Sequence, residues 1–121
     1  MILPIFGYGH PVLKKRATSI DESYPELKKL ISDMYETMYH ASGVGLAAPQ
    51  IGKSIRLFII DTSPFDSEDF QSNSGFETAS VKKTFINPEI VDELGELKSF
   101  EEGCLSIPNV RENINRKSEI K

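Results

Sequence analysis

The chain has 121 residues, 39% of them hydrophobic and 26% charged, with a formal net charge of −4. That length holds a single domain, and the apolar fraction belongs to a folded chain rather than a disordered one. The acidic balance argues against a direct nucleic-acid site, the single cysteine excludes an intramolecular disulfide framework, and no apolar run approaches the roughly 18 residues that span a membrane.

The opening MILPIFGYGHPVLKK carries no basic stretch ahead of its apolar residues, which Pro4 and Gly7 interrupt, so it does not read as a signal peptide and a cytoplasmic location is expected. From Ser23 to Ala41 the apolar residues Leu27, Leu30, Ile31, Met34, Tyr35 and Met38 recur with helical spacing, against a polar face of Lys28, Lys29, Ser32, Asp33, Glu36 and Thr37. Ser23 and Glu26 are spaced as a capping box, Pro25 suits a first turn, and Gly43 can end the helix in the left-handed conformation.

Gly43 to Gln50 (GVGLAAPQ) satisfies the letters of a dinucleotide fingerprint, yet it follows a helix rather than a strand, and Pro49 stands where the required helix would begin. Its small residues leave backbone open to close approach by another backbone or a ligand, and Gln50 adds a neutral amide donor. Ile55 to Asp61 (IRLFIID) reads as a buried strand, and Thr62 to Lys82 as a long polar loop. Thr84 to Ile86 and, after Asn87-Pro88, Glu89 to Leu94 resume strand character. Gly95 offers a turn with Glu96 to Phe100 as the return arm, and the chain from Val110 onward is extended. One long helix followed by mostly antiparallel strands makes the fold class α+β.

Glu101 to Pro108 (EEGCLSIP) holds the only cysteine. Cys104 can be a small buried hydrophobe, a thiolate ligand for zinc or ferrous iron, or a nucleophile beside an imidazole. The two histidines lack the i, i+4 spacing that places two imidazoles on one helix face: His10 lies in a Gly-His-Pro turn and His40 in the last helical turn. A cysteine hydrolase using Cys104 with His10 or His40 as base would show rapid stoichiometric alkylation and survive a chelator.

Taken together, GVGLAAPQIG and EEGCLSIP closely resemble the first two signature motifs of the peptide deformylases, metalloenzymes that remove the formyl group from the N-terminal methionine of nascent chains. ILPIFGYGHPVLKKRA, ETMYHASGVGLAAPQIG, RLFIID and FINPEI resemble the same family, so the likeness covers nearly the whole chain. It implies a deformylase-like fold with the long helix packed on the strands. It also implies that Cys104 is a thiolate ligand of a catalytic divalent metal, iron(II) natively, with zinc, nickel or cobalt as substitutes. By the same resemblance the Gln50 amide and the Leu105 backbone N–H are donors to the formyl oxygen, such donors typically being worth about 2.7–4 kcal/mol each. Gly43, Val44 and Gly45, with Glu102, Gly103 and Arg111, would form the substrate site. Formyl-methionyl nascent peptides are the implied partners, with the ribosome a partner of the full-length protein and a bacterium the implied source.

The family's third motif, HExxH, which supplies two imidazole ligands and the general base, has no match in these residues. The chain therefore reads as a single incomplete domain lacking the C-terminal metal-binding helix. By itself it is expected to be inactive and to leave apolar faces, including that of Ile55 to Ile60, partly exposed. The alternative is a non-catalytic deformylase-like peptide-binding fragment or pseudoenzyme.

Overall fold

The periodic apolar stripe folds as α1, Leu27–His40, and a computed structural model of the chain describes residues 1–66 and 80–121. Met34 and Met38 are fully buried on one face of α1, flanked by half-buried Leu27, Leu30, Ile31 and Tyr35. Burying each methionine contributes about 1.5–3 kcal/mol.

Both ends of α1 differ from expectation. The Ser23 hydroxyl donates to the Asp21 carboxylate, which also accepts the Ser23 N–H at 2.9 Å. This Asx turn replaces the predicted capping box, and Glu26 becomes the N-cap at φ 54° with no side-chain cap. At the other end it is Ser42, not Gly43, that adopts the left-handed conformation, at φ 57°. Ser42 N–H donates to Tyr39 O at 3.1 Å and Gly43 N–H to Met38 O at 2.9 Å, the paired bonds of a Schellman motif.

Strands β1 (Gly45–Ala47), β2 (Leu57–Asp61) and β3 (Lys82–Ile86) form an antiparallel sheet in that order. Alternation along β2 sends Leu57 and Ile59 into the core under α1, with Ile55 buried beside them. Phe58 and Ile60 on the other face are half-buried, Phe58 stacking on Phe85 at 4.6 Å. The expected exposure of this strand is thus confined to one face, because the other packs into the core with α1, Leu46, Ala48 and Ile51. Asn87, at φ 51°, clips β3 to the N-terminal half: its side chain accepts the Ile20 N–H at 3.0 Å and donates to Ile20 O at 2.6 Å.

The loop expected over Thr62 to Lys82 begins with a short 3-10 turn, Ser63–Asp66, and is closed at its base by Thr62 N–H to Val81 O at 2.9 Å; its middle lies outside the described residues.

The second sheet is one long hairpin, β4 (Glu93–Cys104) and β5 (Ile107–Ile120). Glu89 to Asp92 is not strand, and Gly95 is not the hairpin turn. Gly95 sits at φ 81° inside β4, where the pairing is irregular between Leu94 and Leu97, and a Cβ there would fall 2.0 Å from Ser118 Oγ. It marks a bulge, which asks for the same residue as a turn. Reversal comes later, at Leu105-Ser106, and the extended reading from Val110 onward is β5. Leu97, Val110 and Ile120 on this hairpin are more exposed than any residue of β2.

At the edge of α1, Tyr39 donates its hydroxyl to the Asp61 carboxylate at 2.6 Å. That bond pushes the phenol pKa up to about 12 and, with bonds from Ser63, holds the Asp61 carboxyl below its ordinary 3.8. The raised phenol gives stability that is full below its ordinary pKa of 10.0 and is lost as pH rises toward about 12. The lowered carboxyl gives stability that is present above pH 3.8 and is lost as pH falls through its folded value. Tyr39→Phe should therefore lower Tm at neutral pH and flatten both the acid and alkaline limbs of a Tm-against-pH curve. Limbs as steep as the wild type's would refute the coupling.

Candidate functional site

Gly43 to Ala47 runs from the end of α1 into β1, at the edge of its sheet. Asp61 N–H donates to Val44 O at 2.9 Å, so Val44 and Leu46 turn their main-chain groups toward β2. By antiparallel alternation Gly45 and Ala47 turn theirs to the open edge. Gly43 is small for a packing reason: a Cβ there would lie 2.7 Å from Leu105 Cδ1. The hairpin turn is seated on the glycine-rich segment through that contact.

Ala48–Ile51 forms a tight 3-10 turn, closed by Gly52 at φ 85°. It folds Gln50 back on β1, where Gln50 Oε1 accepts the outward Ala47 N–H at 2.9 Å. Because that oxygen must face a donor, Nε2 is forced to the opposite side. There it lies 3.1 Å from Ser106 Oγ and 3.7 Å from Cys104 Sγ. The carboxamide thus turns its nitrogen toward Ser106 Oγ and Cys104 Sγ, and the structure brings Gln50, Cys104, Leu105 and Gly43 together.

Cys104 is exposed and unoxidised at the end of β4, not buried among aliphatic side chains. Among the described residues the Leu105 N–H, at the turn, has no intramolecular acceptor. His10 accepts the Val12 N–H at Nδ1 (3.2 Å) and packs on Phe6, while His40 is exposed at the end of α1. Neither imidazole is hydrogen-bonded to Cys104 among the described residues, so the thiol has no positioned base.

Arg111 does not join Glu102. In the β4–β5 register Gly103 faces Arg111 and Glu102 faces Glu112, so Arg111 projects from the opposite face of the hairpin. Its Cγ would be 3.5 Å from a Cβ on Gly103, an ordinary van der Waals contact, so Arg111 lies across the hairpin against Gly103. Glu102 instead takes a two-pronged bond from Arg116, through Nε and through Nη2 at 2.8 Å. The guanidinium holds the Glu102 carboxyl below the usual range. Arg116 went unnoticed in the sequence, although it shares the parity of Glu112 and hence the face of Glu102. Ser106 was also missed; the only signal was a hydroxyl beside the cysteine turn.

A catalytic zinc-type centre takes three protein ligands. Among the described residues no three His, Cys, Asp or Glu side chains are placed to hold a metal ion. Cys104 has the right donor chemistry and exposure, but it supplies one position only, and a complete centre does not fit the described residues.

An α+β scaffold that sets a lone thiol and an oriented carboxamide beside a free strand edge is the class of protein these features define. The chain matches the family model described as polypeptide deformylase over residues 2–121, and it belongs to that family. It is 58% identical over 121 residues to a peptide deformylase of Flavobacterium johnsoniae, covering 99% of this chain and 62% of that protein. A peptide deformylase of Christiangramia forsetii is 53% identical with the same coverage. The crystal structure of peptide deformylase from Thermotoga maritima superposes with a TM-score of 0.78 at 40% identity, covering 99% of this chain and 71% of that one. The chain thus spans about three-fifths of the length of these curated relatives.

Proposed function

We propose that this chain forms part of a peptide deformylase, a metal-dependent amide hydrolase that removes the N-formyl group from the initiator methionine of nascent polypeptides. The orientation of Gln50 carries the reading: Oε1 is held by Ala47 N–H at 2.9 Å, and Nε2 is turned to Cys104 Sγ at 3.7 Å. A formyl oxygen beside that sulfur would meet a neutral donor fixed before substrate arrives, with a second donor in the Leu105 N–H. Donors that need no reorganisation act most strongly where negative charge develops in the transition state.

The free edge of β1 supports the substrate assignment. Gly45 offers an outward N–H and C=O to an extended peptide, and Gly43 and Val44 line the approach, a mode of strand addition that reads backbone rather than side chain. Glu102, clamped by Arg116, stiffens the hairpin before Cys104, with Gly103 and Arg111 on its other face. A divalent metal, iron(II) natively, with zinc, nickel or cobalt as substitutes, would be held in part by Cys104 and would supply hydroxide near neutral pH. We place the full-length protein in the bacterial cytoplasm, working on chains emerging from the ribosome. No helix among the described residues is long and apolar enough to cross a membrane.

The test is formate release from a formyl-Met peptide, coupled to formate dehydrogenase, using the full-length protein loaded with Ni(II) or Fe(II). Release that stops with a chelator and returns with metal is expected. The 121 residues alone should release none, since Cys104 is one donor where three are needed. Tight formyl-peptide binding by the full-length protein with no formate under any metal would favour the pseudoenzyme instead.

A further inference from the structure

We propose that Ser106 is a positioning residue that sets the direction of the Gln50 carboxamide. This rests on the reading of Gln50 as a donor to the formyl oxygen. A glutamine amide rotates over a broad terminal torsion, so the single bond from Ala47 N–H to Oε1 leaves the amide plane free to rock. The Ser106 hydroxyl removes that freedom by accepting from Nε2 at 3.1 Å. With one Nε2 proton engaged there, the other is left for the side of Cys104 Sγ, where the reacting oxygen would sit.

Ser106 is suited to this by its burial. It is 4% exposed, so water does not compete for Nε2 as it would at an open surface. Its main chain is held independently, because Tyr8 N–H donates to Ser106 O at 2.8 Å while Phe6 N–H donates to Gln50 O at 2.7 Å. Alternate residues of one N-terminal arm therefore grip both partners, and the arm sets the separation across which the hydroxyl meets the amide. Leu3 N–H, donating to Thr37 Oγ1 at 2.8 Å, ties the same arm to α1. An alanine would remove the hydroxyl acceptor and leave Nε2 only its longer contact with Cys104 Sγ at 3.7 Å. A carboxylate would bind Nε2 as an ion and compete with the formyl oxygen for it.

In the full-length, metal-loaded protein, Ser106→Ala should lower kcat about tenfold, with KM changed less than about twofold, as befits an effect on donor geometry. In a Gln50→Ala background the same substitution should cost less than about twofold, since the group through which it acts is gone. An NMR measurement on the wild type needs neither a variant nor activity. Of the two Gln50 Nε2 protons, assigned by their loss in Q50A, one should exchange slowly with solvent and the other freely. An unchanged kcat in S106A, an equal loss in the Q50A background, or equal exchange of both protons would overturn the proposal. An inactive wild-type protein whose Gln50 protons still exchange unequally would overturn the functional reading and leave the Ser106 assignment standing.

Discussion

Replacing Cys104 by alanine in the full-length protein should reduce bound metal to a trace and formate release by about a thousandfold or more, while the fold survives. The sulfur is exposed at the end of β4 and does not belong to the buried core, so truncating it should open no core cavity. On the proposed reading, loss of the Cys104 thiolate would remove the cation and the hydroxide that cation would supply, and no group of His, Cys, Asp or Glu among the described residues is placed to hold it instead. Metal content by mass spectrometry, read beside Tm, separates this from unfolding. A C104A protein that keeps stoichiometric metal and deforms no more than the wild type, yet still releases formate, would remove Cys104 from the site. Alkylation that tracks inactivation while chelators have no effect would point to a thiol nucleophile.

The second large effect belongs to Gln50, where two substitutions separate its two jobs. Gln50→Leu removes the acceptor for Ala47 N–H as well as the donor facing the sulfur. It should cut kcat by about 10²–10³ and also destabilise the turn, since a partly buried N–H loses its partner. Gln50→Glu keeps an oxygen for Ala47 N–H, and the Ser106 hydroxyl can rotate to donate to the other oxygen. Its Tm should therefore stay near that of the wild type. Its kcat should fall at least as far as in Q50L, because an acceptor now stands where charge develops. A Q50E enzyme within about threefold of the wild type would show that the amide is not a transition-state donor.

Much of this site lay in the order of residues. GVGLAAPQIG and EEGCLSIP named the glycine segment, the carboxamide and the thiol, and the structure brings Gly43, Gln50, Cys104 and Leu105 together. Local signals failed where one residue serves two purposes. Gly95 suits a turn and a bulge equally, and only the break in register opposite Ser118, where a Cβ would fall 2.0 Å from Ser118 Oγ, chose the bulge. Ser23 could cap a helix or bond Asp21, and the nearer partner won. Gly43 was read as the left-handed residue, but Ser42 takes that conformation and Gly43 is small because Leu105 rests on it.

Periodicity and composition determined the α1 stripe, the β2 strand and the α+β class, and the two contiguous motifs carried the resemblance to the family, since each of these depends on neighbours in sequence. The tertiary structure alone decided that Glu102 pairs with Arg116 and that Arg111 lies on the opposite face, because strand parity becomes a constraint only when the register is set. It alone decided which way the Gln50 amide points. That choice needs an N–H from β1, a hydroxyl from the hairpin turn and an arm gripping both, groups far apart along the chain whose bonds form only once it has closed on itself.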